Sequence, residues 1–183
     1  SIMKTILFLT LLFSFLLTGC NNSNKEDDRV RSLSSGNINN VSIILENEEW
    51  EGSIGEALRD NLAAPVDGLP QEEPLFSLNQ MPPQVFTGFV RKNRLFVKIE
   101  KGKPADFKIF KDPFAYPQSG VLISGETNAE IVDQINQYSN DIVSTFKTTE
   151  LKEKQRRIEK SLKDDEKLKE QFGVSLKFPS AYR

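Results

Sequence analysis

Cys20 is the only cysteine in this 183-residue chain, and its neighbours suit a particular covalent chemistry. The run Leu17-Thr18-Gly19-Cys20 places one aliphatic and two small side chains directly before the thiol. This pattern matches the bacterial lipobox, in which the thiol is the nucleophile that takes up diacylglycerol. Small residues are needed there because the signal peptidase must fit the backbone into its cleft. The sequence therefore predicts that Cys20 is lipidated.

The segment before Cys20 has the layout of an export signal. Lys4 supplies a positive charge, and an apolar stretch from Ile6 to Leu17 follows it. That stretch is shorter than the roughly 20 apolar residues that span a bilayer, and its length fits the apolar region of a secretory signal. We therefore predict that residues 1–19 are a lipoprotein signal peptide. The alternative is a buried N-terminal helix with a chance cysteine.

The segment after the lipobox predicts a tether to a membrane. Residues 20–40 are rich in Asn, Ser and charge and lack apolar periodicity, which is typical of a disordered linker. Because acyl chains such as palmitate on Cys20 anchor a protein stably, we expect the membrane as a partner. Asn21 follows the cysteine where inner-membrane retention would require Asp, which favours the outer membrane. The cluster Lys25–Asp28 indicates either simple linker solvation or surface export, so the periplasmic side and the cell surface both stay open.

Composition excludes several classes of function. The absence of histidine excludes Ser-His-Asp and Cys-His catalysis and every imidazole metal site. If Cys20 is lipidated, no thiol remains for a disulfide or a zinc site. We therefore expect neither a metal nor a cofactor. The 24 basic and 26 acidic residues are too balanced to indicate nucleic acid as a partner.

A polar set around a proline-rich loop is the candidate binding site. The span from Val66 to Pro83 contains prolines at 70, 74, 82 and 83, which leave little room for regular structure. We expect six polar side chains to converge there and bind an envelope protein or a ligand: Gln71, Glu72, Glu73, Arg91, Arg94 and Gln118. The alternative for each of them is a surface charge or a hydrogen bond that fixes a loop.

Two other functions stay open. Glu72 or Glu73 together with Asp112 would supply acid/base chemistry for a hydrolase of envelope or carbohydrate substrates. Such a pair works across about 5–9.5 Å in a cleft. A structural spacer is the third possibility, supported by a long charged segment near the end of the chain.

The elements that must position these residues are short strands and two helical regions. Apolar or alternating runs predict strands at residues 41–46, 86–90, 95–100, 106–111, 120–124 and 174–178. A turn at 101–104 predicts a hairpin between the third and fourth of these runs. Ser53 with Glu56 has the pattern of a capping box for a short helix that Pro65 ends, and Gly55 weakens that helix.

The clearest helix follows a second capping box, Thr127 with Glu130. It carries an apolar stripe that we expect to face the sheet: Ile131, Ile135, Tyr138, Ile142 and Phe146. From Lys147 to Gln171 the chain is mostly charged, which predicts a second helix that is interrupted near residues 163–165, with Gly173 as its cap. The pattern predicts an α+β two-layer sandwich, with a mostly antiparallel sheet and both helices on one face.

Several motifs carry a resemblance to a known family. Five elements follow in order: the stretch at 68–76 (with LPQ-E-P-F), the stretch at 81–89, the pair Arg91 and Arg94, the stretch at 115–118 (A-x-PQ), and a closing P-x-x-Y at 179–182. They resemble a family of Gram-negative bacterial lipoproteins catalogued only as a domain of unknown function. The sequence departs from the family where Asn93 precedes Arg94. The resemblance implies a lipid-anchored envelope protein without an established activity, and it implies a C-terminal truncation of this chain.

These observations favour one interpretation. Residues 41–183 form an α+β domain on a lipid anchor in the outer membrane, and the domain is a non-catalytic binding or scaffolding module.

Overall fold

The computed structural model describes residues 31–66, 68 and 71–180. The predicted signal peptide at 1–19, Cys20 and the first part of the predicted tether lie outside these residues. The compact unit begins at Arg31, before the predicted domain start at Val41. Its first residues are hydrogen-bonded into it, since Ser34 N donates to Tyr116 O at 2.9 Å and Ser35 N donates to Lys92 O at 2.9 Å. Among the described residues, no helix is long and apolar enough to cross a membrane.

A five-stranded sheet is the centre of this unit. Its strands are β1 (Asn40–Ile44), β2 (Ser77–Met81), β3 (Leu95–Lys101), β4 (Asp106–Lys111) and β5 (Ser119–Gly125), in the order β2-β1-β3-β5-β4. The pairs β1–β2, β1–β3 and β3–β5 are parallel, and only β4–β5 is antiparallel. The predicted mostly antiparallel sheet is therefore wrong, because this α+β protein has a mixed, mostly parallel one.

The error arises from strand pairing rather than from strand location. The predicted hairpin would pair β3 with β4, but β5 lies between them and pairs with both. Alternation of apolar and polar side chains shows which residues of a strand share a face. The same alternation results whether β3 pairs with β4 or with β5, so it does not identify the neighbouring strand. β2 falls inside the predicted loop from Val66 to Pro83, and its short polar sequence Ser-Leu-Asn-Gln-Met gives little strand signal.

The helices are α1 (Asn47–Glu51), α2 (Ser53–Leu62), α3 (Asn128–Glu159) and α4 (Glu166–Phe172). Two short 3-10 turns, Pro83–Val85 and Val90–Lys92, replace the strand predicted at 86–90. The strand predicted at 174–178 is also wrong, because those residues are irregular. The capping box predicted at Ser53 does not form, since Gly52 is the N-cap of α2 and no side chain caps that helix.

Gly55 has a role that the sequence analysis missed. A Cβ at this position would lie 1.8 Å from the carbonyl oxygen of Trp50. The residue that weakens α2 by propensity is therefore the one that lets α1 and α2 meet.

Helix α3 is continuous where two helices were expected. Thr127 Oγ1 accepts a hydrogen bond from Glu130 N at 3.2 Å, so the predicted N-cap is confirmed. Ile131, Ile135, Ile142 and Phe146 are fully buried in the core, as predicted. The predicted interruption falls between α3 and α4, and Gly173 ends α4 in the left-handed conformation as expected.

The two faces of the sheet are covered differently. One face meets α2 and α3 through a core of aliphatic side chains: Val41, Ile43, Leu95, Val97, Ile99, Val121, Ile123, Ile54, Leu58 and Leu62. We call it the helix face. The other face carries a smaller cluster of Ile44, Phe86 and Phe96. No helix of the described part of the chain contributes to that cluster, and we call this side the open face.

Candidate functional site

Three phenylalanine rings form the centre of the candidate site on the open face. Phe96 comes from β3, Phe86 follows the first 3-10 turn, and Phe114 lies in the loop between β4 and β5. The ring centroids of Phe86 and Phe96 are 5.0 Å apart, and that of Phe114 lies 6.1 Å and 6.0 Å from them. These separations are those at which aromatic rings attract one another.

Gly120 on β5 makes room for this cluster. It pairs with Phe96 in the parallel register of β3 and β5. A Cβ at Gly120 would lie 2.0 Å from Cζ of Phe96, so the tip of the ring occupies the space that a side chain on the neighbouring strand would need. A side chain of any size at this position would displace the ring.

A cavity of about 310 Å³ opens beside the rings. Phe110 of β4 and Leu122 of β5 complete its apolar wall, and Arg91, Lys98 and Glu100 bring charge to it. Its size falls within the range of roughly 300–1,000 Å³ that is usual for ligand pockets. Phe110 and Phe114 are 39% and 42% exposed, so apolar surface faces solvent at the cavity mouth.

Arg91 is the cation of this site that lacks a carboxylate partner within the described chain. Its Nε donates to the carbonyl oxygen of Phe86 at 3.1 Å, and its Cζ lies 5.5 Å from the ring centroid of Phe114. A guanidinium over an aromatic face at this distance is attracted by the ring. Lys98 is already neutralised, because its Nζ lies 2.6 Å from Glu100 Oε1. Hydrogen bonds from Lys103 and then Lys98 hold the pKa of Glu100 below its ordinary value.

Gln118, a predicted binding residue, is buried and holds the wall of the cavity in place. Its Oε1 accepts hydrogen bonds from the backbone N–H groups of Phe114 at 2.8 Å and Ala115 at 3.1 Å. Its Nε2 donates to the carbonyl oxygens of Arg91 at 2.6 Å and Asn93 at 2.8 Å. One side chain thus fastens the loop that carries Phe114 to the turn that carries Arg91.

Arg94, the second predicted arginine, is 1% exposed and lies in a buried ionic cluster. Its Nε donates to Glu150 Oε1 at 2.9 Å, and its Nη2 donates to the carbonyl oxygens of Gly36 and Asn37 at 3.1 Å and 2.8 Å. Its Nη1 lies 3.7 Å from Glu153. Arg94 therefore joins the start of the folded unit to α3.

Glu153 links this cluster to the surface of α3. Arg156 donates to it twice, at 2.7 Å and 2.8 Å, and Arg157 donates to it at 2.7 Å. Burial raises the pKa of Glu153, but the hydrogen bonds from Arg156 and Arg157 outweigh that effect and lower it from 4.5 to about 2. The charged part of α3 thus contains a buried carboxylate with a structural role.

Gln71, Glu72 and Glu73 lie apart from the cavity. All three are exposed in the segment before β2, and β2 and β4 are opposite edges of the sheet. No described hydrogen bond or ion pair joins their side chains to Arg91, Arg94 or Gln118. The structure brings these last three together around the turn at Val90–Lys92, with Arg91 at the cavity and the other two buried.

The proposed carboxylate pair is also separated by the sheet. Asp112 directly follows β4, and its Oδ1 accepts a hydrogen bond from Gln118 N at 2.7 Å. Glu73 precedes β2, so four strand spacings separate the strand ends next to the two carboxylates. At about 4.8 Å each, these amount to roughly 19 Å. Hydrolytic pairs need about 5–9.5 Å, so the geometry gives the hydrolase no support.

The aromatic side chains of the site were not among the residues predicted from the sequence. Alternation along β3 puts Phe96 on the face opposite Val97, and an aromatic residue on the face away from a helical core was a usable signal. No local pattern brings Phe86 and Phe114 to it, since both lie in loops. Across residues 31–66, 68 and 71–180, no group of histidine, cysteine, aspartate or glutamate side chains is arranged to hold a metal ion.

Comparison with known proteins gives one match. A family model described as a domain of unknown function, DUF8532, matches residues 34–159. That range contains the whole sheet, the open-face cavity and α3. No match was found among the curated proteins or among the solved structures.

Proposed function

The chain belongs to the family of this domain of unknown function, and we propose that it is a lipid-anchored cell-envelope protein whose domain binds a ligand in the aromatic cavity. The ligand has an apolar or aromatic body and carries one negative charge. The cavity with Arg91 at its wall is the observation that supports this function best.

The apolar part of the ligand follows from the lining of the cavity. Four phenylalanines and Leu122 surround a space of about 310 Å³. Burying an apolar group there gains roughly 25 cal/mol for each Å² removed from water. Its flat rings favour aromatic over branched groups, because they offer faces and edges for stacking.

The negative charge follows from Arg91. Lys98 is paired with Glu100, which Lys103 also contacts, whereas the guanidinium of Arg91 has no carboxylate partner among the described residues. An arginine beside an apolar wall pairs well with a carboxylate, sulfonate or phosphate. Binding rather than catalysis is proposed because Glu100, the carboxylate in the cavity wall, is held in its charged form by Lys103 and Lys98. A general acid would need a pKa near the working pH instead.

The lipid anchor rests on the sequence around Cys20. The lipobox, the preceding signal and the tether support export and diacylation, with Asn21 favouring the outer membrane over the inner one. The resemblance to Gram-negative lipoproteins supports the same location.

Two fluorescent probes test the cavity. Anilinonaphthalene sulfonate is an aromatic anion, and N-phenylnaphthylamine is a neutral molecule of similar shape. Phe114→Ala should lower the affinity for both probes by about tenfold or more, because it removes one wall of the cavity. Arg91→Gln should weaken the sulfonate alone. Phe172→Ala is the matched control, since Phe172 is 69% exposed and lies in α4. Unchanged binding of both probes by Phe114→Ala would remove the cavity from consideration.

The anchor is tested in cells of a Gram-negative host. Wild type should partition into the detergent phase and sediment with outer-membrane markers on a sucrose gradient, while Cys20→Ser should stay in the aqueous phase. Detergent partitioning of Cys20→Ser at the wild-type level would rule out lipidation. Protease added to intact cells then distinguishes surface display from a periplasmic orientation.

A further inference from the structure

Strand β4 is an open edge of the sheet. It pairs with β5 from Asp106 to Lys111, and it is the last strand in the sheet order. Within the described chain, the backbone of β4 makes no hydrogen bond to any segment other than β5. Its second row of N–H and C=O groups therefore has no strand beside it, and an edge of this kind is a template for a further strand.

The side chains of β4 expose apolar surface on both sides of this edge, between its charged residues. Ile109 and Phe110 are 40% and 39% exposed. As consecutive strand residues they point to opposite faces of the sheet. Natural edges are commonly blunted by charge or proline, but Lys108 of this strand already pairs with Asp106 on its own side. Apolar surface therefore flanks the open edge above and below.

Each face also has a recess beside β4. On the open face, Phe110 is part of the wall of the aromatic cavity. On the helix face, Ile109 and Lys111 line a groove of about 390 Å³ between β4 and α3. We call this groove the hydroxyl groove, because the rest of its wall is Lys152 together with five alcohol side chains: Ser119, Ser144, Thr145, Thr148 and Thr149.

The two recesses differ in charge. Lys111 and Lys152 both line the hydroxyl groove, and neither has an ion-pair partner in the part of the chain that the structure describes. No carboxylate lines that groove. Two ammonium groups around one space favour a carboxylate, and the attraction is strongest when the pair is partly shielded from water. The aromatic cavity on the other side is walled mainly by phenylalanine rings and favours an aromatic ring, with Arg91 as the cation beside it.

We propose that an extended segment of a partner protein binds beside β4 as a sixth strand. In this segment, an aromatic residue is directly followed or preceded by an acidic one. Successive residues of a strand point to opposite faces. The aromatic side chain therefore enters the aromatic cavity while the acidic one enters the hydroxyl groove. Recognition of this kind draws affinity from main-chain hydrogen bonds and specificity from pockets for alternate side chains. The proposal rests on the proposed function, because it places the ligand of the aromatic cavity on a peptide.

Synthetic peptides test this arrangement on the purified folded protein. The probe is a capped peptide in which Phe and Glu alternate three times between serines. Its control has the same composition, with the three Phe before the three Glu. The alternating peptide should bind at least about tenfold more tightly. N-methylation of alternate backbone amides on the edge-facing side should abolish binding, because it removes the donors of the new ladder.

Variants of the hydroxyl groove test the acidic contact. The double change Lys111→Glu and Lys152→Glu should weaken the alternating peptide by about tenfold or more. Its control, Lys154→Glu, changes the charge of an exposed position on the same helix outside the groove. Both proteins should bind N-phenylnaphthylamine like the wild type, which shows that the fold and the aromatic cavity are intact.

The outcomes separate this proposal from the proposed function. Tight binding of the neutral probe without preference for the alternating peptide would overturn strand addition and leave the cavity as a small-ligand site. A protein that binds neither the neutral probe nor the alternating peptide would overturn both strand addition and the proposed function. A dimer at micromolar concentration that Ile109→Lys dissociates would show that a second copy takes the edge, which would overturn the partner segment.

Discussion

The two faces of the sheet are built from the same strands and differ in how they are closed. On β3, Leu95, Val97 and Ile99 point to the helix face and are at most 5% exposed. Phe96 and Lys98 point to the open face, where the rings and the charged pair border a cavity. Helices α2 and α3 cover the first face, whereas in the described part of the chain only loops and two 3-10 turns cover the second.

This difference indicates a division of roles between the faces. The aliphatic core of the helix face contributes stability, because every buried methylene removed there leaves a cavity. A face closed by loops keeps space and exposed rings, as binding surfaces do. Changes on the helix face should therefore lower the free energy of unfolding with little effect on probe affinity. Changes on the open face should instead lower the affinity for the probes more than they lower the free energy of unfolding.

The largest expected effect on stability comes from breaking the buried ionic cluster of Arg94, Glu150 and Glu153. Arg94→Ala leaves the carboxylate of Glu150 buried without its partner, and such a loss costs about 3–5 kcal/mol. One Glu150 oxygen already lacks a hydrogen bond among the described groups, so no spare donor is at hand. Urea unfolding near neutral pH measures the cost. The double change Arg94→Met and Glu150→Met should cost less, since it removes both charges together. A wild-type unfolding midpoint for Arg94→Ala would contradict the cluster's role.

The next effect tests the packed core of the helix face directly. Ile142→Ala empties a fully buried site and should cost about 2–5 kcal/mol. Ile158→Ala lies on the same helix but is half-buried, so it should cost less. Neither change should alter the affinity for N-phenylnaphthylamine. Equal costs at Ile142 and Ile158 would show that the two ends of α3 are packed alike, against the structure.

The third effect concerns the stability of the fold at acidic pH. The pKa of Glu153 falls from 4.5 to about 2 on folding, so the stabilisation it supplies is complete above pH 4.5 and is lost as the pH falls towards 2. A shift of this size corresponds to at most about 3 kcal/mol. Glu153→Gln should reduce the loss of stability across that window. Glu170→Gln, at an exposed site in α4, is the control and should leave the slope unchanged. A wild-type acid slope for Glu153→Gln would mean that other carboxylates govern acid unfolding.

The local features of this fold were accessible from the sequence. The stripe Ile131 to Phe146 and the caps at Thr127 and Gly173 were predicted because each depends on residues within one or two turns. Strand β4 was placed correctly because its alternation is local. Parallel pairing was not accessible, since the choice of β5 rather than β4 as the neighbour of β3 depends on contacts far apart in sequence.

The candidate site was accessible only in part. Arg91 and Gln118 were selected as polar residues of the right region, and the structure relates both to the cavity. The apolar wall was missed because it joins a strand, a turn and a loop. Arg94 was selected as a binding residue, but burial in an ionic cluster is a tertiary property that an arginine in a sequence does not reveal. Glu150 and Glu153 look like surface charges in a helix for the same reason.

The smallest expected effect on stability sharpens the comparison most, because it alters the open face by a single methyl group. Gly120→Ala places a Cβ against the Phe96 ring, which must move within the cluster of Phe86 and Phe114. Overpacking of this kind costs about 1–3 kcal/mol. The affinity for N-phenylnaphthylamine should fall as well, because the displaced ring enters the cavity. Phe96→Leu combined with Gly120→Ala should recover stability without recovering affinity, and the double-mutant cycle measures the coupling. Additive effects of the two changes would show that Gly120 does not position the ring.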